Sequence, residues 1–309
     1  MKPTFAIVVP VYNRAGIVGR TLGSIAAQTY RPLQVILVDN NSTDSTLAVL
    51  AEWQKAHVAD DFQVEVVSET SKGASAARNA GLRMVDAEWT VFFDSDDVMA
   101  PDHIERVAEA IQLCPDAEMV GWDRRTRQRN GRVVYKPFVI ELPHIMAYEN
   151  ITHGLLSTLS YAARTALFRK AGGWDSALTI GEDIELGARI LALQPVIDNI
   201  PGHCVDIYEM EDSITYNVDE RASSLWLALK KIRATLPDKY KHWADLHMIN
   251  SAASWAKNEP QAREIVARII SDTAPVRRLL WRLFYRYGLL GGRGVARIYR
   301  ILSFNTLRL

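Results

Sequence analysis

Four short apolar runs occupy the first hundred residues: FAIVVP (5–10), LQVILVD (33–39), VEVVS (64–68) and WTVFFD (89–94). Each is continuous rather than alternating, and each is rich in β-branched or aromatic residues. That is the pattern of a strand covered on both faces, as in a parallel sheet. Between the runs, apolar residues recur at helical spacing over about 16–28, 43–56 and 73–85. Strand and helix taken in turn predict a doubly wound α/β sheet. Ligands of such sheets sit beyond the carboxyl ends of the strands. Pro10, Asp39, Ser68 and Asp94 fall at those ends.

The remainder is less regular. A helix after Pro101, a strand near 118–122, a β-hairpin at Asn130-Gly131, a helix over 164–171, a turn at GGWD (172–175) and a helix opening at GEDIELGARI are expected. Beyond about 220 the pattern is helical, punctuated by Pro237, Pro260 and Pro275. Net charge is zero over 309 residues, which argues against a general nucleic-acid binder. The charge is uneven, however: no acid follows Asp272, while eight arginines do. Two cysteines, Cys114 and Cys204, suit a reducing cytoplasm and give no disulfide framework or zinc site. The opening MKPTFAIVVP is too short an apolar run for a signal peptide, and no stretch approaches the length of a spanning helix.

Four clusters carry possible chemistry, each with a plainer alternative. Asp94, Asp96 and Asp97, with Ser95 between, follow a buried strand directly. Carboxylates so close repel one another, and desolvation adds to the cost. They serve either as caps and solvated turns or as a rim for Mg²⁺ or Mn²⁺ and a diphosphate, since hard cations take oxygen ligands. Asp39 either accepts hydrogen bonds from a ribose or base, or starts an Asx-turn before the next helix. In TSKGASAARNAGL (70–82), Ser71 or Gly73 can cap a helix whose small residues at 74, 76, 77 and 80 permit close packing. Lys72 and Arg78 are there either for phosphate oxygens or for a solvated helix face, and the Walker and Rossmann spacings are missing. Glu182 and Asp183 open a helix, where acids complement the helix dipole, or else one of them is a general base.

In this order the clusters resemble the family 2 glycosyltransferases, inverting enzymes of the GT-A fold. The resemblance rests on VVPVYNR (8–14), VDNNSTDST (38–46), KGASAARNAGL (72–82), FFDSDD (92–97), GGWD (172–175) and GEDIEL (181–186), in register over residues 4 to about 215. It implies a catalytic domain over 1–218, with a nucleotide-binding half (1–100) and an acceptor half (101–218); it does not reach the C-terminal third, where the helical pattern itself gives an extension over 219–309. It places Pro10 and Tyr12 along base and ribose, Asp39 on the base (usually uracil), and Lys72 and Arg78 at the diphosphate. Ser95 joins the donor-binding set. Asp94 would face ribose and metal, Asp96 would ligate Mg²⁺ or Mn²⁺, Asp183 would be the base, and Trp174 and Glu182 would meet the acceptor.

The chain departs from the family in one phrase. Where many relatives carry Y-R-x-H-x-x-S-I-T, this sequence has IYEMEDSIT (207–215), with Tyr208 and Met210 at the Arg and His positions and His203 upstream. In the tail, Arg278, Arg282 and Arg286 recur every four residues, with Leu279, Leu280, Leu283, Phe284 and Tyr287 opposite and a further basic stretch to 302. This basic amphipathic pattern suits an anionic membrane surface, or a helix docked by its apolar side on the rest of the protein. The expected protein is therefore cytoplasmic and peripheral at the inner face of the plasma membrane. It would move a sugar from a nucleotide-sugar to a saccharide or lipid-linked saccharide. Two rivals stand beside that reading: a sugar-1-phosphate nucleotidyltransferase, for which PVYNRAG lacks the glycine-rich loop, and a non-catalytic nucleotide- or glycan-binding subunit.

Overall fold

The computed structural model describes residues 2–141, 143–209, 218–254, 262–272 and 275–289. The apolar runs become β1 (Phe5–Val11), β2 (Leu33–Asp39), β3 (Phe62–Ser68) and β4 (Trp89–Phe92), all mutually parallel in the order β3-β2-β1-β4. Alternate side chains of one strand enter different cores. Phe5, Ile7, Val9 and Val11 face one side with Val35 and Leu37, while Ala6 and Val8 face the other with Ile36 and Val38. Double burial is why the runs of β1, β2 and β4 are so apolar in sequence, while the edge strand β3 carries Gln63 and Glu65 and is only partly buried. Helices α1 (Val18–Ala26), α2 (Thr46–His57) and α3 (Ala74–Met84) fill the intervals.

Of these, α3 lies on β1 and β2. Ala76, Ala77 and Ala80 are buried there, whereas Ala74 is only half-buried. The tightest approach is at Gly81, where a Cβ would stand 2.3 Å from Val8 Cγ1 and 3.2 Å from Val38 Cγ2. Overpacking of a β-branched neighbour costs about 1–3 kcal/mol. Gly81→Ala is expected to lose that much in urea denaturation, and a loss below about 0.5 kcal/mol would mean that Val8 gives way freely.

Past β4 the sheet continues without a break. A short β5 (Val98–Met99) leads to α4 (His103–Leu113), then β6 (Met119–Arg127) and β7 (Val133–Lys136), turned at Gly131 with φ +81°. Next come α5 (Pro143–His153), β8 (Tyr161–Arg164), α6 (Thr165–Lys170), α7 (Glu182–Ala192) and β9 (Ile197–Tyr208). Strand β8 is antiparallel to both β4 and β6, and β9 runs parallel to β6 and pairs with β5. Neither α5 nor β9 is announced by its sequence. IDNIPGHCVDIY holds Pro201 and Gly202 mid-strand, and its register against β6 shifts at Trp122–Asp123. Pairing with β6 makes it a strand, despite its weak propensity.

From Val218 onward every described stretch is helical: α8 (Val218–Thr235), α9 (Asp238–Ser254), α10 (Ala262–Ser271) and α11 (Pro275–Leu289). Trp226, Trp243 and Trp281 anchor a third core there, which Ile151 and Ala188 join from α5 and α7.

Candidate active site

Because β8 is antiparallel, its amino end lies at the same edge as the carboxyl end of β4. The turn before β8 thus meets the acidic loop after β4, and α7 enters from the far side. Arg78 of α3 stands at the centre. Its guanidinium donates to Asp94 Oδ1 at 3.0 Å and to Glu182 Oε1 at 3.3 Å, and stacks 4.6 Å above the Trp174 ring. Arg78 is buried. Burial alone would lower its pKa, but Asp94, Asp183 and Glu182 together override that and hold the charge firmly. It is thus neither on a solvated face, as the amphipathic alternative had it, nor free for phosphate: its fork is taken up by carboxylates.

Asp183 lies beside this group. Its Oδ1 accepts the Thr158 hydroxyl at 2.7 Å and its Oδ2 the Thr158 backbone N–H at 3.1 Å. Burial raises its pKa, while Arg78 and Thr158 oppose the rise. A carboxylate held from two sides yet raised toward neutrality has the character of a general base. Burial and the adjacent Asp183 push Glu182 up to about 7, against Arg78. Since the native state binds this proton more tightly than an unfolded glutamate of pKa about 4.3, the associated stability is full below about pH 4. It is lost as pH rises through 7. Glu182→Gln is expected to flatten the fall in unfolding free energy between pH 4.5 and 7.5 seen by chemical denaturation, and an unchanged slope would refute the shift.

The three aspartates after β4 have three different environments. Asp94 pairs with Arg78, and its side chain is 32% exposed. Asp96, 21% exposed, has Arg14 at 3.8 Å. Asp97 is 2% exposed, and its Oδ1 accepts the Tyr208 N–H at 2.8 Å. Burial, with Asp94 and Asp96 beside it, pushes Asp97 up to about 8 against the Tyr208 N–H and Arg20. Arg20 itself reaches the Asp96 carbonyl and stacks 3.8 Å over the Tyr208 ring. The crowding that seems in sequence to demand an outside cation is relieved in part from within, by Arg14, Arg20 and Arg78 and by the upward shift of Asp97. What is left accessible is an oxygen-only pair, Asp94 and Asp96. Among the described residues no set of three or more His, Cys, Asp or Glu converges to hold an ion. Two carboxylates with the rest of the shell from phosphate and water is the pattern magnesium and manganese accept, so the pair fits such a cation.

At the neighbouring rim, Asp39 ends β2 opposite Val11. It is buried; Oδ2 receives a long 3.4 Å bond from Ser42 N–H, and Oδ1 has no partner. The Ser42 N–H is three residues on, one beyond an Asx-turn, and the unsatisfied Oδ1 is costly unless a ligand donates to it. Pro10 is half-buried in β1, Tyr12 is 55% exposed just beyond it, and Lys72 is exposed before α3. Ser95 is buried. The helix α3 is entered through Gly73, at φ +111°, with its N–H on Asn40 Oδ1. Asn40 Nδ2 ties down the carbonyls of Glu69 and Ser71.

Trp174 departs from its expected place against an acceptor. It is 3% exposed, wedged edge-on to Phe92 at 5.4 Å, and supports Arg78 from beneath. The turn GGWD delivers it inward because Asn79 Oδ1 accepts the Trp174 N–H and Asn79 Nδ2 donates to its carbonyl. Sequence reading missed Thr158, Arg14, Arg20 and the role of Asp97. Two of these carried a signal: Arg14 as the last residue of VVPVYNR and Asp97 as the third acid of the triplet. Met210 lies outside the described residues, as does the side chain of His203.

A parallel half-sheet extended by β8, β6 and β9, with acids gathered at its carboxyl edge, defines an α/β protein whose ligand edge is acidic. The match to the model of glycosyl transferase family 2 over residues 6–172 is more than half of the chain, which belongs to that family. Among relatives, the succinoglycan biosynthesis protein ExoW of Rhizobium meliloti is 24% identical over 306 residues, covering 89% of this chain and 93% of its own. An uncharacterized glycosyltransferase of Haemophilus influenzae is 29% identical over 60% of this chain and 61% of its own. Validoxylamine A glucosyltransferase of Streptomyces hygroscopicus subsp. jinggangensis is 28% identical over 62% and 52%. The chain therefore spans only about half to three fifths of these last two. Among solved structures, S. aureus TarS in complex with UDP-GlcNAc superposes with a TM-score of 0.69 at 19% identity, over 96% of this chain and 91% of that one. The mannosyltransferase PcManGT of Pyrobaculum calidifontis, in complex with GDP-Man and Mn²⁺, gives 0.57 at 20% identity, over 98% and 88%. Those two likenesses establish the GT-A fold.

Proposed function

We propose that this protein is an inverting glycosyltransferase that moves a sugar from a nucleotide-sugar to a hydroxyl of a saccharide or lipid-linked saccharide. The observation that carries the reading is Asp183, fixed by two bonds from Thr158 and linked through Arg78 and Glu182 to Asp94 at the strand edge. In this reading the base moiety lies over Pro10 and Tyr12 and donates to the unpaired Oδ1 of Asp39. Lys72 and Ser95 border the phosphates and ribose. Asp183 takes the proton from an acceptor hydroxyl as that oxygen attacks the anomeric carbon, opposite the departing nucleoside diphosphate. Glu182 turns Arg78 toward Asp94 and faces the acceptor side. Asp94 and Asp96 would hold Mg²⁺ or Mn²⁺, whose chemistry is Lewis-acid relief of the charge that builds on the leaving diphosphate.

The UDP-GlcNAc complex of TarS supports a uridine donor, with the GDP-Man complex of PcManGT as the guanosine alternative. The name of ExoW supports a place in polysaccharide biosynthesis. No described helix is long and apolar enough to cross a membrane. The basic helix α11 supports peripheral attachment to an anionic membrane face, within the cytoplasm.

A panel of nucleotide-sugars with and without Mn²⁺, followed by thermal shift and nucleoside-diphosphate release, tests the reading. At 100 times Kd a true donor stabilises by about 2.7 kcal/mol, a rise of roughly 5 °C for a chain of this size. A UDP-sugar is expected to give that rise only with metal. No response to any nucleotide-sugar would overturn the assignment.

A further inference from the structure

The helical tail is docked in a way its sequence does not announce. Helix α11 turns Trp281 into the third core and half-buries Tyr285, two residues that the sequence assigned to neither row. Leu279, Leu283 and Tyr287, one helical turn apart, are left 63%, 52% and 46% exposed. Arg282 and Arg286 are exposed beside them. An apolar row that a soluble surface would normally hide thus faces outward, flanked by guanidinium groups.

Next to this row is a cavity of about 610 Å³ between α10 and α11. It is lined by Arg263 from α10 and Arg278 and Arg282 from α11, with Val266 and Ile270 as apolar surface, and no carboxylate lines it among the described residues. Arg278 is held in place by a 2.8 Å bond to the Ser271 carbonyl. Among the described residues, neither Arg263 nor Arg282 has an acidic partner within ion-pair distance. Beyond α10 a second cavity, about 330 Å³, is mixed in charge, with Lys230, Arg233 and Arg268 beside Asp272. Three guanidinium groups beside an apolar surface suit a tetrahedral phosphate attached to an apolar body, because guanidinium forks match phosphate oxygens.

We infer that the α10–α11 cavity is a binding site for the phosphate of an anionic phospholipid, whose acyl chains lie along Leu279, Leu283 and Tyr287. The charge complementarity of the arginines and the outward apolar row select this occupant. A soluble phosphate ester would use the arginines and leave the row without purpose. A protein partner of matching acidity would meet no reason for a lining and a row that are both apolar. This deepens, and rests on, the proposal of peripheral membrane attachment, and it does not depend on the transferase chemistry.

The test is co-sedimentation of the full chain with vesicles of phosphatidylcholine alone and of phosphatidylcholine with phosphatidylglycerol, alongside thermal shift with glycerol 3-phosphate. The wild type is expected to bind the phosphatidylglycerol vesicles and not the neutral ones. Arg263→Gln/Arg278→Gln/Arg282→Gln should lower that binding at least tenfold, and Leu279→Ser/Leu283→Ser at least fivefold, with melting temperatures within 3 °C of the wild type. Arg286→Gln, which lies outside the cavity, should lower it less than threefold. If vesicles bind but the triple variant binds equally, or Arg286→Gln costs as much as the triple variant, attachment is diffuse and the cavity site is refuted while the membrane proposal stands. If the wild type ignores anionic vesicles, both fall. Stabilisation by glycerol 3-phosphate without vesicle binding would overturn the lipid as the source of the phosphate.

Discussion

Asp183→Asn is expected to lower turnover by about 10²–10⁴-fold while leaving donor affinity within roughly threefold, the range that removal of a general base commands. The asparagine keeps an oxygen for the Thr158 hydroxyl but cannot take a proton, and both Thr158 bonds converge on the group that changes. The split between turnover and binding is the informative part. Thermal shift with donor and Mn²⁺ should match the wild type while nucleoside-diphosphate release to acceptor disappears. Turnover within tenfold of wild type would remove Asp183 from the chemistry. A wild type that binds donor and never turns over would make the chain a binding subunit.

Arg78→Ala is expected to destabilise the fold by about 3–5 kcal/mol, the cost of breaking a buried pair by removing one partner. The residue left behind is not one charge but three: Asp94 and Glu182 lose direct bonds, and Asp183 loses the cation that offsets its burial. Solvent reaches Asp94, which puts the effect toward the lower figure. The sign of the pH dependence follows. Without the guanidinium the carboxyl groups of Glu182 and Asp183 rise further, so the variant binds protons more tightly when folded and weakens as pH increases. Its deficit against the wild type, from denaturant melts, should therefore grow between pH 5 and pH 8. Arg78→Lys should recover little, since a single ammonium cannot span Asp94 and Glu182 while stacking on Trp174. A deficit below about 1 kcal/mol, flat with pH, would show that the carboxylates do not depend on Arg78.

Part of the site was legible because its residues sit at strand ends. Asp39 and Asp94 could be placed at the sheet edge from the apolar runs before them, and Glu182 and Asp183 at a helix start from GEDIELGARI. Thr158 could not be found this way. It is a threonine in an undistinguished turn, and it matters only because antiparallel β8 brings that turn alongside Asp94. Trp174 misleads for the opposite reason: the GGWD turn was identifiable, but Asn79, 95 residues earlier, decides which way the indole goes. In the tail, spacing gave two clean helix faces, and Trp281 from the boundary between them became the anchor.

By itself the sequence determined the order of strands and helices through residue 100, because double burial and helical spacing are local patterns set by solvent. It also determined which carboxylates stand at the edge. The tertiary structure alone decided how those carboxylates are charged and which way they face, because burial and the arginines from α1, α3 and the loop after β1 act through space. An aspartate paired with Arg78 and one pushed up to about 8 beside Tyr208 are the same letter, three positions apart.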